Sequence, residues 1–200
     1  MLEKEKQNAV ITMGGKRGPN WFKSTTPYGY NIALCISAVI KEIRRGNEEH
    51  AVYWSYQIAI SGPEAEKFLW ELLRVHSIED ISLSNPEAIN IVCNVMNLYF
   101  DLPNTDNRKY AVLTYIVVYM ARQTKTRYTN DLFLNIISRL HSGDMKLEIP
   151  DYAIDLHSPE GRKMGRGLGH YLLEASFLEN EDNRFSKKYK AELLKQNKQP

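Results

Sequence analysis

The side chains best placed by type and spacing to do chemistry lie in HSPEGRKMGRGLGH, residues 157–170. Ser158 and Pro159 read as the N-cap and first residue of a helix, whose free N–H groups and dipole attract negative charge. Gly161, Gly165, Gly167 and Gly169 leave the backbone uncovered, so an anion could approach it closely. Arg162, Lys163 and Arg166 supply positive charge. Arg162 and Arg166 are four apart and share a face if the turn is helical, and guanidinium groups suit bidentate phosphate contacts. His157 adds a further donor, more so at mildly acidic pH. The chemistry implied is capture of an anion, above all a nucleic-acid phosphate, and Lys125 with Arg127 are further basic candidates for the same contact. Glu160 opposes this reading, because a carboxylate in the first turn repels an anion. Two other uses stay open: a subunit contact in which the arginines meet acidic groups, and a solvated loop.

Other constellations point less firmly to a reaction. Glu79–Asp80 is an acidic pair with His76 close by. Adjacent residues on a helix point in different directions, so the pair reads as turn and charge-balancing groups, with a salt bridge expected to Arg74 or Arg44. His157 and His170, with Asp151, Asp155 and Glu174, could serve a small metal-dependent phosphoesterase. Their spacing matches no standard zinc site, however, and H-E-x-x-H, C-x-x-C and a His-Asp dipeptide are all absent from the sequence. There is no G-x-S-x-G, no Walker A loop and no Walker B run. Gly14–Gly15–Lys16–Arg17–Gly18 has the wrong spacing for a phosphate loop and follows no apolar strand. Tyr53, Trp54, Tyr56 and Trp70 could stack on bases, but at helical spacing they read as core. The expectation is a chain that is not an enzyme and needs no cofactor or metal.

Two hundred residues, 43% apolar and 25% charged, suit one globular domain with a substantial core. The longest apolar run, residues 111–121, is short of the ~18–20 residues of a membrane span and reads as a buried helix. No hydrophobic leader stands out near the start. Cys35 and Cys93 sit in apolar helical surroundings and read as structural thiols in a reducing cytoplasm. The net charge of +2 is unevenly distributed. Residues 1–45 carry 8 basic and 3 acidic side chains, residues 46–106 carry 2 and 10, and residues 107–200 carry 16 and 11. Basic ends around an acidic middle permit head-to-tail association, or DNA contact by the ends of an adaptor protein.

The elements that must position these groups read as helices. Ile36, Val39, Ile40 and Ile43 form one apolar face, ended by Gly46. Asn47 is placed to cap a second helix, with Glu48 and Glu49 in its first turn. That helix stops at Ser61–Gly62. Pro63 opens a third, with Phe68, Leu69, Leu72 and Leu73 as its stripe. Ser84–Asn85–Pro86 signals a fourth, apolar on most sides as a central helix would be, and Pro103 closes it. Asp106 caps a fifth, and Asn130 or Thr129 starts a sixth, which Gly143 ends. Residues 144–157 read as extended or loop, followed by the short helix at Ser158 and an amphipathic turn in HYLLEASFL. The fold class is therefore all-α, about six to eight helices. The divisions expected are a basic, glycine-containing tail or linker at 1–29, the helical domain at 30–180, and a polar, basic helix or tail at 181–200.

The order IRRG, AVYW, LLR and SIED-x-x-L-x-P-x-A resembles the C-terminal, post-ATPase domain of the replication-associated recombination protein A family. These AAA+ ATPases, also called MgsA, are relatives of the Werner-helicase-interacting protein. The residues carrying the resemblance include Ser37, Ala38, Lys41, Ile43, Arg44, Tyr53, Trp54, Leu73, Arg74, Ser77, Glu79, Asp80, Ile81, Leu83 and Pro86. A weaker echo at 111–130 matches Lys125 and has Thr124 where the family has proline. Ser82 also departs, since the family prefers glycine there. The resemblance covers about residues 30–140. It implies a clamp-loader-like helical collar without its motor, which holds subunits in a homotetramer and serves DNA replication, recombination or repair. Partners implied are a second copy, DNA, and a separately encoded AAA+ ATPase or other replication protein. No membrane partner is expected, and the location expected is the cytoplasm.

Overall fold

The computed structural model describes residues 20–182, 184–185 and 187–197. It is all-α, with no strand among the described residues. Two compact units divide the chain, residues 1–144 and 145–200.

The first unit begins with a 3-10 turn, Asn20–Lys23, followed by α1 (Ile32–Arg45), α2 (Glu48–Ala59), α3 (Pro63–Asp80), α4 (Ala88–Asp101), α5 (Arg108–Arg122) and α6 (Tyr128–Ser142). Helix α1 starts where the Asn31 side chain accepts the Leu34 N–H. It ends at Gly46, whose φ of 76° is the left-handed conformation that a side chain disfavours. Its buried face is Ile32, Cys35, Ile36, Val39, Ile40 and Ile43, a stripe at helical spacing. α1 packs on α2 and α2 on α5, while α3 packs on α4 and α4 on α5. Trp70, Leu69, Leu73, Ile58, Val92, Ile116 and Met120 fill the shared core.

Several expectations are altered. Residues 20–29 do not form a tail: Trp21 and Phe22 stack at 4.4 Å and both meet Phe68 of α3 edge-on. The hydroxyl of buried Thr26 donates to Gln57 at 2.9 Å. Two aromatic rings beside a core helix gain more from burial than from water, which holds this segment to the body. The tail expected for residues 1–19, including Gly14–Gly18, lies outside the described residues. Asn47 occupies the cap position of α2, but its side chain makes no cap bond and donates instead to Glu42 at 2.6 Å. α4 starts two residues after Pro86, and it is not central. Only Ala88, Val92 and Tyr99 are buried on it, while Leu98 and Phe100 are about half exposed. The N-cap of α5 is Asn107, without a side-chain cap bond; Asp106, expected there, lies one residue earlier, and its carboxylate accepts the Arg108 N–H at 2.9 Å. Cys35 is buried, Cys93 is partly buried, and both are free thiols.

The second unit holds a 3-10 turn at Asp151–Ala153, then α7 (Pro159–Lys163), α8 (Leu168–His170) continuing into a π-helical turn at Tyr171–Ala175, and α9 (Lys188–Gln196). Ser158 is the N-cap of α7, as its position before proline predicts, and accepts the Gly161 N–H at 3.0 Å. Among the described residues no helix is long and apolar enough to cross a membrane.

Candidate functional site

The polar centre of the first unit is Asp80, at the C-terminal end of α3. Its side chain is only 3% exposed. Oδ2 accepts from Arg44 Nε of α1 at 2.9 Å and lies 3.1 Å from His76 Nδ1, one turn earlier on α3. Oδ1 accepts from Arg127 Nη1 at 2.9 Å, and the Asp80 carbonyl accepts the Thr126 N–H at 2.8 Å. Burial pushes the Asp80 carboxyl upward, but the hydrogen bonds from His76 and Arg44 outweigh it and hold the group down at about 2. His76 Nδ1 also lies 3.3 Å from Arg44 Nη2, so the ring sits against both charges. Arg74 pairs with Glu71 instead of Asp80.

Lys125 stands beside this centre and caps α5: its ammonium donates to the carbonyls of Ala121 at 2.6 Å and Gln123 at 2.8 Å. Burial lowers its pKa, partly opposed by Asp80. Sequence reading found Arg44 as a partner and missed Arg127 and His76. The four-residue spacing of His76 and Asp80 was the available signal. Nothing local marks Arg127, which reaches Asp80 from 47 residues away.

A second buried network joins α3, α4 and α5. Tyr99 donates to Glu66 at 2.6 Å, and Lys109 donates to Glu66 at 3.1 Å and to Asn104 at 2.8 Å. The Lys109 ammonium also lies 4.5 Å from the Tyr99 ring centre, a cation–π contact. Burial first, then the Glu66 carboxylate, pushes the Tyr99 phenol well up.

In the second unit, the candidates at 157–170 are turned onto their own loop. Arg162 Nη1 donates to the carbonyls of Leu156 and His157 at 3.1 and 3.0 Å. Arg166 donates to the carbonyls of Asp151 and Ile154, both at 2.7 Å, and to Asp151 Oδ1 at 2.6 Å. His157 Nδ1 meets Asp155 at 2.9 Å, which holds that carboxyl below the usual range, and the ring lies edge-on to Tyr171. Lys163 is exposed. Gly161 is buried because its backbone presses on Asp155: a Cβ there would sit 1.8 Å from the Asp155 carbonyl oxygen. A phosphate would therefore compete with four backbone carbonyls for the guanidinium protons, and the Gly161 N–H is already spoken for by Ser158. Lys125 and Arg127 belong to the first unit and His157, Arg162, Lys163 and Arg166 to the second. Among the described residues no three His, Cys, Asp or Glu side chains are grouped to hold a metal ion. The group expected around His157 and His170 brings Asp151 to Arg166 and Asp155 to His157.

The first unit also carries exposed apolar surface. Helix α6 has 15 residues, an amphipathic sequence and no buried residue. Leu132, Phe133, Ile136, Ile137 and Leu140 lie on one face, and Leu132, Phe133 and Leu140 are 47–51% exposed. Along α5 and between α4 and α5 run two shallow apolar grooves of about 470 and 330 Å³. Both include Ala111 and Tyr115.

Searches against models of protein families and against curated proteins find no match for the chain.

Proposed function

We propose that this chain is a non-catalytic oligomerisation and scaffold module serving DNA replication, recombination or repair, of the kind found after the ATPase domain in the recombination-associated AAA+ proteins it resembles. One observation carries the reading: α6 is a four-turn amphipathic helix on which no residue is fully buried in its own chain. A helix of this type gains its stability by docking its apolar face, and an isolated one of ~15 residues is marginal in water. Self-association in closed symmetry is the common way to cover such a face. The residues of the resemblance also work together: Arg44 of the first matched segment and Asp80 of the last form the buried ion pair that ties α1 to α3. The basic candidates add no rival site of equal weight, since Arg127, Arg162 and Arg166 are engaged within the chain. The assembly expected is a homotetramer, with a separately encoded ATPase as its partner. Light scattering on the full chain tests the reading. A multimeric mass that persists on dilution supports it, and a monomer at high protein concentration ends it.

A further inference from the structure

We infer that residues 145–149 of two copies of this chain pair as antiparallel strands, related by a two-fold axis at Leu147. The inference rests on the self-association proposed above and adds one contact and its register.

The segment reads Met-Lys-Leu-Glu-Ile and lies between two stops. Gly143, in the left-handed conformation, ends α6, and Pro150, extended at φ −67° and ψ 147°, precedes the 3-10 turn at Asp151–Ala153. Between residues 144 and 150 the chain makes no turn or bend. Side chains of an extended chain alternate, so Met145, Leu147 and Ile149 share one face and Lys146 and Glu148 the other. Pro150 has no N–H to give a ladder, so pairing stops there.

Two observations mark this stretch as an open edge. Among the described residues, no backbone N–H or C=O of 145–149 enters a backbone hydrogen bond within the chain. Leu147 and Ile149 are 77% and 76% exposed, the most open of the large apolar side chains described. Unpaired backbone carrying bare aliphatic side chains is a template for another strand. Five residues extend ~17 Å and offer roughly four to six cross-strand hydrogen bonds in an antiparallel pair.

Charge selects the partner and the register. Lys146 and Glu148 are exposed, and among the described residues neither has an ion pair within the chain. With the axis at Leu147, Lys146 of each copy stands opposite Glu148 of the other, Met145 opposite Ile149, and Leu147 opposite itself. Two opposite-charge pairs then lie on one face, and the apolar residues of both copies lie together on the other. Sliding by two residues sets Lys146 against Lys146, or Glu148 against Glu148. Sliding by one sets charged residues against apolar ones. Parallel in-register pairing puts like charges side by side. The segment is thus complementary to itself in one antiparallel register, which is the requirement for a contact across a two-fold axis. A lysine on an edge ordinarily discourages pairing, and a glutamate facing it turns the same charge to recognition. A two-stranded ribbon is marginal alone, so this contact works alongside a second two-fold contact, and two such contacts close a tetramer.

The test exchanges the charges in full-length protein and follows assembly by light scattering over a dilution series. Lys146→Glu and Glu148→Lys, each alone, set like charges opposite one another at both pairs and should weaken association about tenfold. An equimolar mixture of the two variants should regain wild-type affinity, because every Glu then meets a Lys. The double variant Lys146→Glu/Glu148→Lys should regain it too. Amide exchange at residues 145–149 should slow as the wild-type concentration rises and stay fast in the single variants. Single variants that assemble like a multimeric wild type would overturn this contact while sparing the scaffold reading. Weakened single variants with no recovery in the mixture or the double variant would overturn the register. Amides at 145–149 that exchange freely in a multimeric wild type would leave the edge to a different partner and end the inference. A monomeric wild type at high protein concentration would remove the scaffold reading itself, and this contact with it.

Discussion

Asp80 and Arg127 stand 47 residues apart in the sequence and meet at 2.9 Å, joining the end of α3 to the residue just before α6. The bond ties the start of α6, a helix with no fully buried residue, to the most buried carboxylate described in the first unit. Asp80 also holds Arg44, so α1, α3 and the start of α6 share one negative charge.

Replacing Asp80 with Ala should destabilise the full chain by about 3–5 kcal/mol, since it leaves the charge of Arg44 partly buried without its partner. Urea unfolding followed by circular dichroism measures it. A loss below ~1 kcal/mol would show that the cluster is no more than a surface ion pair.

The same group sets an acid limb. Its carboxyl is lowered from 3.8 to about 2, so its contribution is fully present above pH ~4 and is lost as pH falls from there toward 2. That difference corresponds to about 2 kcal/mol. Asp80→Asn should therefore be less stable than wild type at pH 7, and the gap should close near pH 2. A gap of constant size across that range would remove Asp80 as the source.

Much of the fold was legible in the sequence because its signals are local. Gly46, Pro63 and Gly143 each begin or end a helix through their own backbone chemistry, and Ser158 caps α7 through its side chain. What local pattern could not supply was the choice of outward face. The apolar sequence of α4 predicts a central helix, yet Leu98 and Phe100 face out, because α5 and α3 cover only one side of it. The arginines at 162 and 166 share this problem. Their charge is visible in the sequence, but the carbonyls that consume it come from residues 151–157, folded back beside the loop.

The Glu66–Lys109 pair offers a contrast with Asp80. Lys109 is 5% and Glu66 16% exposed at the side chain, and Tyr99 is their neutral neighbour. Lys109→Met should cost about 3 kcal/mol by stranding Glu66, and adding Glu66→Gln should recover part of that loss. Strictly additive effects in the double-mutant cycle would show that the two charges do not act as a pair.

Gly161 separates the two readings of the arginine-rich loop. If its glycine exists to let a phosphate reach the backbone, a methyl group there would weaken DNA binding and leave the loop folded. The geometry argues for a different cause. A Cβ at 161 would lie 1.8 Å from the carbonyl oxygen of Asp155, 2.5 Å from its carbon and 2.9 Å from its Cα, all backbone atoms that no side-chain rotation can move. That same carbonyl accepts from the Ser158 N–H and hydroxyl, and the Gly161 carbonyl accepts the Arg166 N–H at 2.9 Å. Displacing either strand of this crossing breaks the cap of α7 and the seat of Arg166 together. Gly161→Ala should thus cost about 3 kcal/mol locally and open residues 151–171 to proteolysis and amide exchange. Exchange in α1–α5 should stay unchanged. Gly167→Ala serves as the control, because its Cβ would meet nothing within 4 Å. Equal protection of residues 151–171 in wild type and Gly161→Ala, with DNA affinity reduced in the variant, would return this loop to the phosphate reading.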